Sequence, residues 1–523
     1  MLQRNIYKWH RTLSLIISAP VLLWAASGFM HPIMTNIRPK VATQFLPQKA
    51  IDSNKIRIGI GEALLLNGID SFHLFRIVHI ADNWFYQVQK QTGEEPVYLA
   101  TLNGKPLAAG NWLYAQWLAK QFLEGSEKIK SGNNIPAAQA GTHDCCDAAT
   151  DCVVNDKRGS KIANASLVQS FDSEYKNVNR LLPVYRVSFE RPDGIRIYVD
   201  PLSDRFAFAM DDKRRVFDRI FTLVHTWGWL DLLGKAKLLI EFFLAATAFC
   251  TAVMGIYIFF ITRTKRSNGS TLIRARRNHR YTAIIASLFT LMFTFSGAYH
   301  AIAKLKEDDR GRFQINTKYA SADTKLNFAA LQAGTNTPIN AITLISIGHN
   351  RYWRIQLADT TTQGNGNDLM KAASIKMPKV RYISTAYNSI LPNGDEVYAR
   401  YIATVFSGNL PATILATDPV TKFSSEYNFT DKILPVWKVS YSTNSNERYF
   451  IETATGGLSK RINDQELIQV YSFAFLHKHE FLAWAGKGWK DFGTMFGAMT
   501  QLVMVSFGLI LYFRWRKRET GRR

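Results

Sequence analysis

Cysteine is scarce in this chain, with four residues in 523, and three of the four crowd into one stretch, "HDCCDAATDC". A disulfide-stapled fold is therefore excluded for the molecule as a whole. Nucleotide-cradling and hydrolytic signatures are also missing: no G-x-G-x-x-G, Walker loop, H-E-x-x-H or G-x-S-x-G stands in a credible context. That absence argues against an ATP-driven pump and leaves no flavin or nicotinamide site. Acidic residues are few, 41 against 64 basic ones, giving a net charge of +23. Such a surplus suits nucleic acid or an anionic membrane surface. Its position decides, because the densest basic clusters flank long apolar runs, and nucleic acid is set aside. Hydrophobic residues make up 47% of the chain, yet the mean hydropathy is only −0.10. The apolar residues are thus segregated into a few runs within a polar, strand-rich remainder.

Four runs are long enough to cross about 30 Å of hydrocarbon as helices. They set the expected organisation. Residues 1–34 carry the N-terminus and the first span (from about 12), and 35–236 a first outer domain with a cysteine-bearing insert at about 125–180. A second span occupies 237–261, a basic loop 262–280 and a third span 281–303. Residues 304–493 form a second outer domain, 494–514 the fourth span and 515–523 a basic tail. The first run follows a basic start, as a signal peptide does. Its pattern recurs at the third run, where cleavage makes no sense, so it reads as a retained span. Arg4, Lys8 and Arg11, the seven cations from Arg263 to Arg280, and the tail from Arg514 to Arg523 all fall on one side. By the positive-inside rule that side is cytoplasmic. Both termini are expected there and both long loops in the periplasm, in a bacterial inner membrane.

The chain reads as an internal duplication. A shift of 269 carries His10-Arg11 onto His279-Arg280, "SGFMHP" onto "SGAYH" with His31 on His300, Trp84 onto Trp353 and Gln87 onto Gln356. A shift of 284 aligns "YAQWLAKQF" with "YARYIATVF", and one of 252 aligns "PVYRVSF" with "PVWKVSY" and His225 with His477. Each half is span, outer domain, span. Alternating strands such as "IRIYVD" and "RYFIET", beside helically spaced "LYAQWLAKQFLE" and "VYARYIATVF", make the outer domains α+β. The fold class is a membrane α-helical protein with four transmembrane helices and two periplasmic α+β domains.

"YKWHR" opening a span, "PVYRVSF…IRIYVDPLSDR" outside it and "LVH" before the return span resemble the PepSY-associated transmembrane family. The second copy repeats the pattern with "RNHR", "PVWKVSY…YFIETATGG" and "FLH". The family includes iron-regulated inner-membrane proteins similar to ferric-siderophore reductases. The resemblance implies PepSY-like outer domains and b-type haem in the four helices, passing electrons to periplasmic ferric iron. Other PepSY-containing proteins act as peptidase inhibitors or regulators, so the outer fold does not by itself fix the function.

Histidine is where chemistry concentrates. His10, His31 and His225 and their mates His279, His300 and His477 form three pairs at span borders. A b-type haem takes two axial imidazoles from opposing helices. His10 and His31 stand twenty-one residues apart, about 31 Å along a helix, so one haem cannot use both. Two haem b groups are expected, one held by His10 and His279 near the cytoplasmic face. On the outer side His31, His300, His225, His477 and also His479 compete; the family pattern favours His225 and His477. A helix cap or a headgroup contact is the plain alternative for any one of them.

In the insert, Cys152 is expected to pair with Cys145 or Cys146; a soft metal site from His143, Cys145, Cys146 and Cys152 is the alternative. Cys250 reads as an apolar filler, and Trp227, Trp229, Phe481, Trp484 and Trp489 as interface anchors. His73, His79 and His349 read as surface residues of strand-like stretches. Glu241 is expected to snorkel or to pair with Lys235 or Lys237. The functional expectation is a haem oxidoreductase whose substrate is ferric iron or a ferric-siderophore, fed by a quinol or a separate cytoplasmic donor. The alternatives are a non-enzymatic PepSY protein that binds an envelope peptidase or other partner, and a siderophore or metal carrier.

Overall fold

A computed structural model describes residues 2–125, 161–263, 270–305, 313–326, 328–358 and 375–520. The helices are, in chain order, α1 (Leu2–Asn36), α2 (Ile60–Leu66), α3 (Gly110–Glu124), α4 (Asp212–Val224) and α5 (Lys235–Ile261). They continue with α6 (Thr271–Leu305), α7 (Phe328–Ala333), α8 (Gly394–Ser407), α9 (Asp464–Ser472) and α10 (Lys487–Thr520). The chain divides into two compact units.

The first unit comprises residues 1–38, 213–309 and 465–523. It is built on α1, α5, α6 and α10, each long and apolar enough to cross a membrane. The expected span limits mark only the apolar middles: α6 begins at Thr271 and α10 at Lys487, because their charged flanks remain helical. α1 packs chiefly on α5 and α10, and α6 on the same two, so α1 and α6 take opposite corners of a four-helix bundle. Facing surfaces are small: Ala245, Ala248, Ala286, Ser287, Thr290 and Ala498 are buried. Small side chains permit close helix approach where lipid supplies no hydrophobic drive. Buried hydroxyls donate back along their own helix, Thr290 Oγ1 to Ala286 O at 2.8 Å and Thr294 Oγ1 to Thr290 O at 2.6 Å. Ile16, Phe243, Leu288 and Phe513 instead point outward and are exposed, as lipid-facing residues are.

The second unit comprises residues 39–212 and 310–464. The outer segments read from the sequence extended to 236 and 493; the stretches 213–236 and 465–493 group with the long helices instead. In the first segment, a short β1 (Ser71–Phe72) precedes β2 (Leu74–Ile80), β3 (Asn83–Gln89) and β4 (Val97–Ala100), which form one sheet. A second sheet holds β5 (Ile162–Val168), β6 (Val184–Phe189), β7 (Arg196–Asp200) and β8 (Arg205–Met210). The later segment opens with the short β9 (Phe313–Gln314) and β10 (Tyr319–Ala320), the latter pairing with β1. One of its sheets holds β11 (Ile339–Ile347), β12 (Asn350–Leu357) and β13 (Val380–Ser384). The other holds β14 (Ile414–Val420), β15 (Val436–Tyr441), β16 (Arg448–Glu452) and β17 (Gly457–Ile462), extended by β9.

Local features recur between the segments. α3 and α8 each begin on a glycine against a tyrosine: a Cβ at Gly110 would lie 2.7 Å from the Tyr98 ring, and one at Gly394 2.6 Å from Tyr382. Only glycine fits there. Gln87 donates to Tyr98 Oη at 2.6 Å, and Arg354 to Tyr382 Oη at 3.1 Å. Hairpin register therefore equates Gln87 with Arg354, two residues away from the mate Gln356 that sequence matching chose. The turns explain the slip, since Ile80 pairs Asn83 and Ile347 pairs Asn350. The two segments share one apolar cluster, with Phe72, Phe75 and Tyr86 meeting Tyr319, Leu344 and Trp353. Ion pairs also join them: Arg180 meets the buried Asp431 at 2.8 Å, and Arg205 meets Glu452 at 3.2 Å. Removing Arg180 would leave Asp431 with Lys460 as its remaining cation, 3.3 Å away, and with the Asn428 amide at 2.9 Å. A buried carboxylate that loses a partner costs about 3–5 kcal/mol.

Candidate functional site

At the arginine-rich end of the bundle, His10 and His279 project from α1 and α6, the opposite corners. His10 Nδ1 lies 3.2 Å from the carbonyl of Thr251 on α5, and His279 Nδ1 lies 3.2 Å from that of Met504 on α10. A carbonyl only accepts, so each Nδ1 carries the proton and each Nε2 keeps its lone pair. One turn further along stands a glycine under each ring. A Cβ at Gly255 would be 3.2 Å from His10 Cε1, and one at Gly508 3.2 Å from His279 Cε1. A mid-helix glycine costs about 1 kcal/mol relative to alanine, which these two seats offset by admitting the imidazoles. His10 and His279 lie within electrostatic reach of each other.

The opposite end is more crowded. His225 follows α4, and His477 closes a π-helical turn, Phe473–His477, after α9. Such turns are frequent at functional positions. His225 Nδ1 is 2.9 Å from Ser27 Oγ, whose own proton goes to Leu23 O at 2.7 Å. His477 Nδ1 is 3.1 Å from Ser296 Oγ, whose proton goes to Met292 O at 2.8 Å. With its single proton committed, each serine accepts from Nδ1–H. These two imidazoles therefore also present an Nε2 lone pair. Their ring centroids are 6.3 Å apart at 77°. That separation suits two imidazoles sharing one metal ion at about 2 Å from each nitrogen. Desolvation, with His31 nearby, pushes His225 down to about 4. Desolvation and the charges of His225, His300 and Lys478 push His477 well below the usual imidazole range. Both rings are neutral at neutral pH, the ligating form.

His31 and His300 stand one ring further out. Phe221 lies between His31 and His225, with centroids at 5.2 and 4.5 Å, and Phe473 between His300 and His477, both at 4.6 Å. The His–Phe–His stacks match in position, but their outer members differ. Gln469 Nε2 donates to His300 Nδ1 at 2.7 Å, so the His300 proton sits on Nε2 and no lone pair is offered there. Phe217, the equivalent of Gln469 under the shift of 252, cannot do this for His31. His479 is the fifth imidazole, buried against Phe289 and Phe293. Its Nδ1 meets Thr494 Oγ1 at 3.1 Å while its Nε2 is buried without a partner. The equivalent in the first half, Trp227, is not an interface anchor: it is buried and stacks on Trp24 at 5.1 Å.

The sequence points to all these histidines but not to the residues that orient them. Ser27 and Ser296 mark only the repeat there. Phe221 and Phe473, each four residues before a paired histidine, are the signal that could have found the stacks. Elsewhere, His73 is buried rather than on the surface, with Nδ1 2.8 Å from Thr317 O. His79 packs against Trp84 and Trp117. Cys250 is exposed on α5, and Glu241 lies 3.9 Å from Lys237. His143, Cys145, Cys146 and Cys152 lie outside the described residues. Among the described residues no three His, Cys, Asp or Glu side chains gather to hold a metal ion by themselves. Comparison with protein-family models and with curated proteins gives no match.

Proposed function

We propose that this chain is a duplicated, four-span bacterial inner-membrane protein that holds two b-type haems and passes electrons to periplasmic ferric iron or a ferric-siderophore. In this reading the arginine-rich end and both termini are cytoplasmic, and residues 39–212 and 310–464 are two PepSY-like domains in the periplasm. The observation that carries it is the partner of each Nδ1: four imidazoles at two levels, each with Nδ1 against an oxygen that accepts, which leaves the Nε2 lone pair to a metal. His10 with His279, and His225 with His477, would hold the two haems. Haem bound there supplies a one-electron carrier at each level.

The chain's own residues do the rest. Hydrogen bonds from Nδ1–H to Thr251 O, Met504 O, Ser27 and Ser296 fix ring orientation and raise ligand basicity. Gly255 and Gly508 keep room for the rings, and the small residues of α5 and α6 are buried between the helices. Phe221 and Phe473 tie the pair at the outer level to His31 and His300, at the mouth where substrate would arrive. Fe(II) is held less tightly than Fe(III) by hard-oxygen chelators, so reduction would release the iron. The donor is a quinol or a separate cytoplasmic protein.

An absorption spectrum of the purified protein, oxidised and dithionite-reduced, tests this. Soret and α bands at about two haems per chain are expected from two ligand pairs. Their absence after haem-replete expression would sink the reading.

A further inference from the structure

Just before α5 and again just before α10, the chain makes the same construction: a short helix, a sharp turn and a 3₁₀ turn. In the first copy these are α4 and Gly228–Leu233; in the second, α9 and Glu480–Ala485. The inward faces serve the histidine site, through Phe221 in one copy and Gln469 with Phe473 in the other. The outward faces have no such use, yet they are apolar. Under the shift of 252, Val216 matches Ile468, Leu223 matches Phe475, Trp229 matches Phe481 and Leu232 matches Trp484. All eight are exposed, from 43% at Phe475 to 98% at Leu232.

One exposed leucine on a soluble surface needs no explanation, whereas eight matched large apolar side chains do. What covers them follows from continuity. Each 3₁₀ turn is followed within two residues by a membrane-spanning helix. Ile468 also rims a groove of about 520 Å³ between α5 and α6, lined by Phe242, Phe249, Phe295, Tyr299 and Ile302. The exposed stripe on α9 is thus continuous with the lipid-facing surface of the spans. Interfacial helices bury an apolar face at the headgroup–acyl boundary and place cations beside it. Lys213 and Arg219 are exposed along the α4 stripe, where α9 has Gln465 and Tyr471.

We infer that α4 with Gly228–Leu233, and α9 with Glu480–Ala485, are embedded in the lipid leaflet at the histidine-rich end of the bundle, forming a collar that holds the mouth of the site at the membrane surface. The cations on α4 make its side the one that prefers anionic lipid. The collar stands on the exposed faces alone and does not depend on haem.

The test uses the full chain with Cys145, Cys146, Cys152 and Cys250 replaced by serine. A single cysteine at 216, 232, 468 or 484 carries a nitroxide, and the protein sits in nanodiscs of phosphatidylethanolamine and phosphatidylglycerol. Position 387, where Tyr387 is 83% exposed in the other unit and outside the candidate spans, is the control. Collisions with oxygen should exceed those with a water-soluble nickel chelate several-fold at the four sites, and the order should reverse at 387. Nickel accessibility equal to that at 387 overturns the collar, and so does shielding from both reagents, which would mean a protein partner or a second copy. Should a labelled variant fail to fold, unmodified protein can be photolysed with a diazirine-tailed phospholipid. Adducts within 216–233 and 468–485 support the collar, and adducts confined to the four spans overturn it.

Discussion

The two ends of the helical bundle solve the same problem with different economy. At the arginine-rich end there are two imidazoles, each with one carbonyl at 3.2 Å from Nδ1 and one glycine seat at 3.2 Å from Cε1. At the other end five imidazoles crowd together, and position alone does not separate ligands from neighbours. The placement of protons does. His225 and His477 donate from Nδ1 to serines that have no proton left to give, whereas His300 accepts at Nδ1 from Gln469. If these imidazoles hold haem, what marks a ligand pair is the partner of each Nδ1, more than the place of the residue in the span.

The largest test breaks the crowded end in two places. His225→Ala or His477→Ala should remove one of two haems, halving the haem-to-chain ratio in a pyridine haemochrome assay, as should His10→Ala or His279→Ala at the other end. His300→Ala should leave the ratio at two. Loss of a haem from His300→Ala with retention in His225→Ala would invert the assignment. Next comes the glycine seat. Gly255→Val or Gly508→Val forces a side chain into the imidazole and should weaken haem retention at that end at least tenfold. Gly28→Ala and Gly297→Ala, where an added Cβ meets nothing within 4 Å, should not change it.

Acid should expose the cost of keeping the crowded end neutral. His225 has a folded-state value of about 4, below the ordinary 6.5. At pH 7 both folded and unfolded forms are neutral there, and the group contributes nothing. As pH falls from 6.5 towards 4 the unfolded chain takes the proton first, so stability is lost across that window and levels off below it. The loss is on the order of 3 kcal/mol. Chemical denaturation of haem-free protein in detergent should show it, and His225→Gln should flatten the slope.

Ser27→Ala and Ser296→Ala leave the ring in place but remove its acceptor. Outer-shell partners of this kind are worth about 10–100-fold in metal affinity. Haem transfer to apomyoglobin should quicken accordingly for each variant, without loss at the arginine-rich end.

How far the sequence could reach is clear from these same residues. The four apolar runs, the strands "YRVSF" and "WKVSY" and the paired histidines are legible because each signal is local: hydropathy, alternation, or a residue type recurring in a frame. Partners are not. Ser27 meets His225 across 198 residues and His10 meets Thr251 across 241, and no local pattern carries such distances. His73 reads as a surface residue because a short strand says nothing of what packs over it. The hairpin mate of Gln87 is misplaced by sequence matching because turn geometry, not residue identity, sets register.

The smallest effect sharpens the comparison most. Gln469→Leu removes the amide that holds the His300 proton on Nε2 and makes α9 resemble α4, where Phe217 stands. His300 can then take the other tautomer, as His31 is free to do. A neutral hydrogen bond of this kind is worth about 1 kcal/mol, so folding should scarcely change. The haem count should stay at two, because His477 still donates to Ser296. What should move is the outer-level haem's midpoint potential, through the altered dipole of His300 across Phe473, and by tens of millivolts at most in a redox titration. Loss of that haem on Gln469→Leu would instead mean that Gln469 was positioning the residue that holds it, His300 rather than His477.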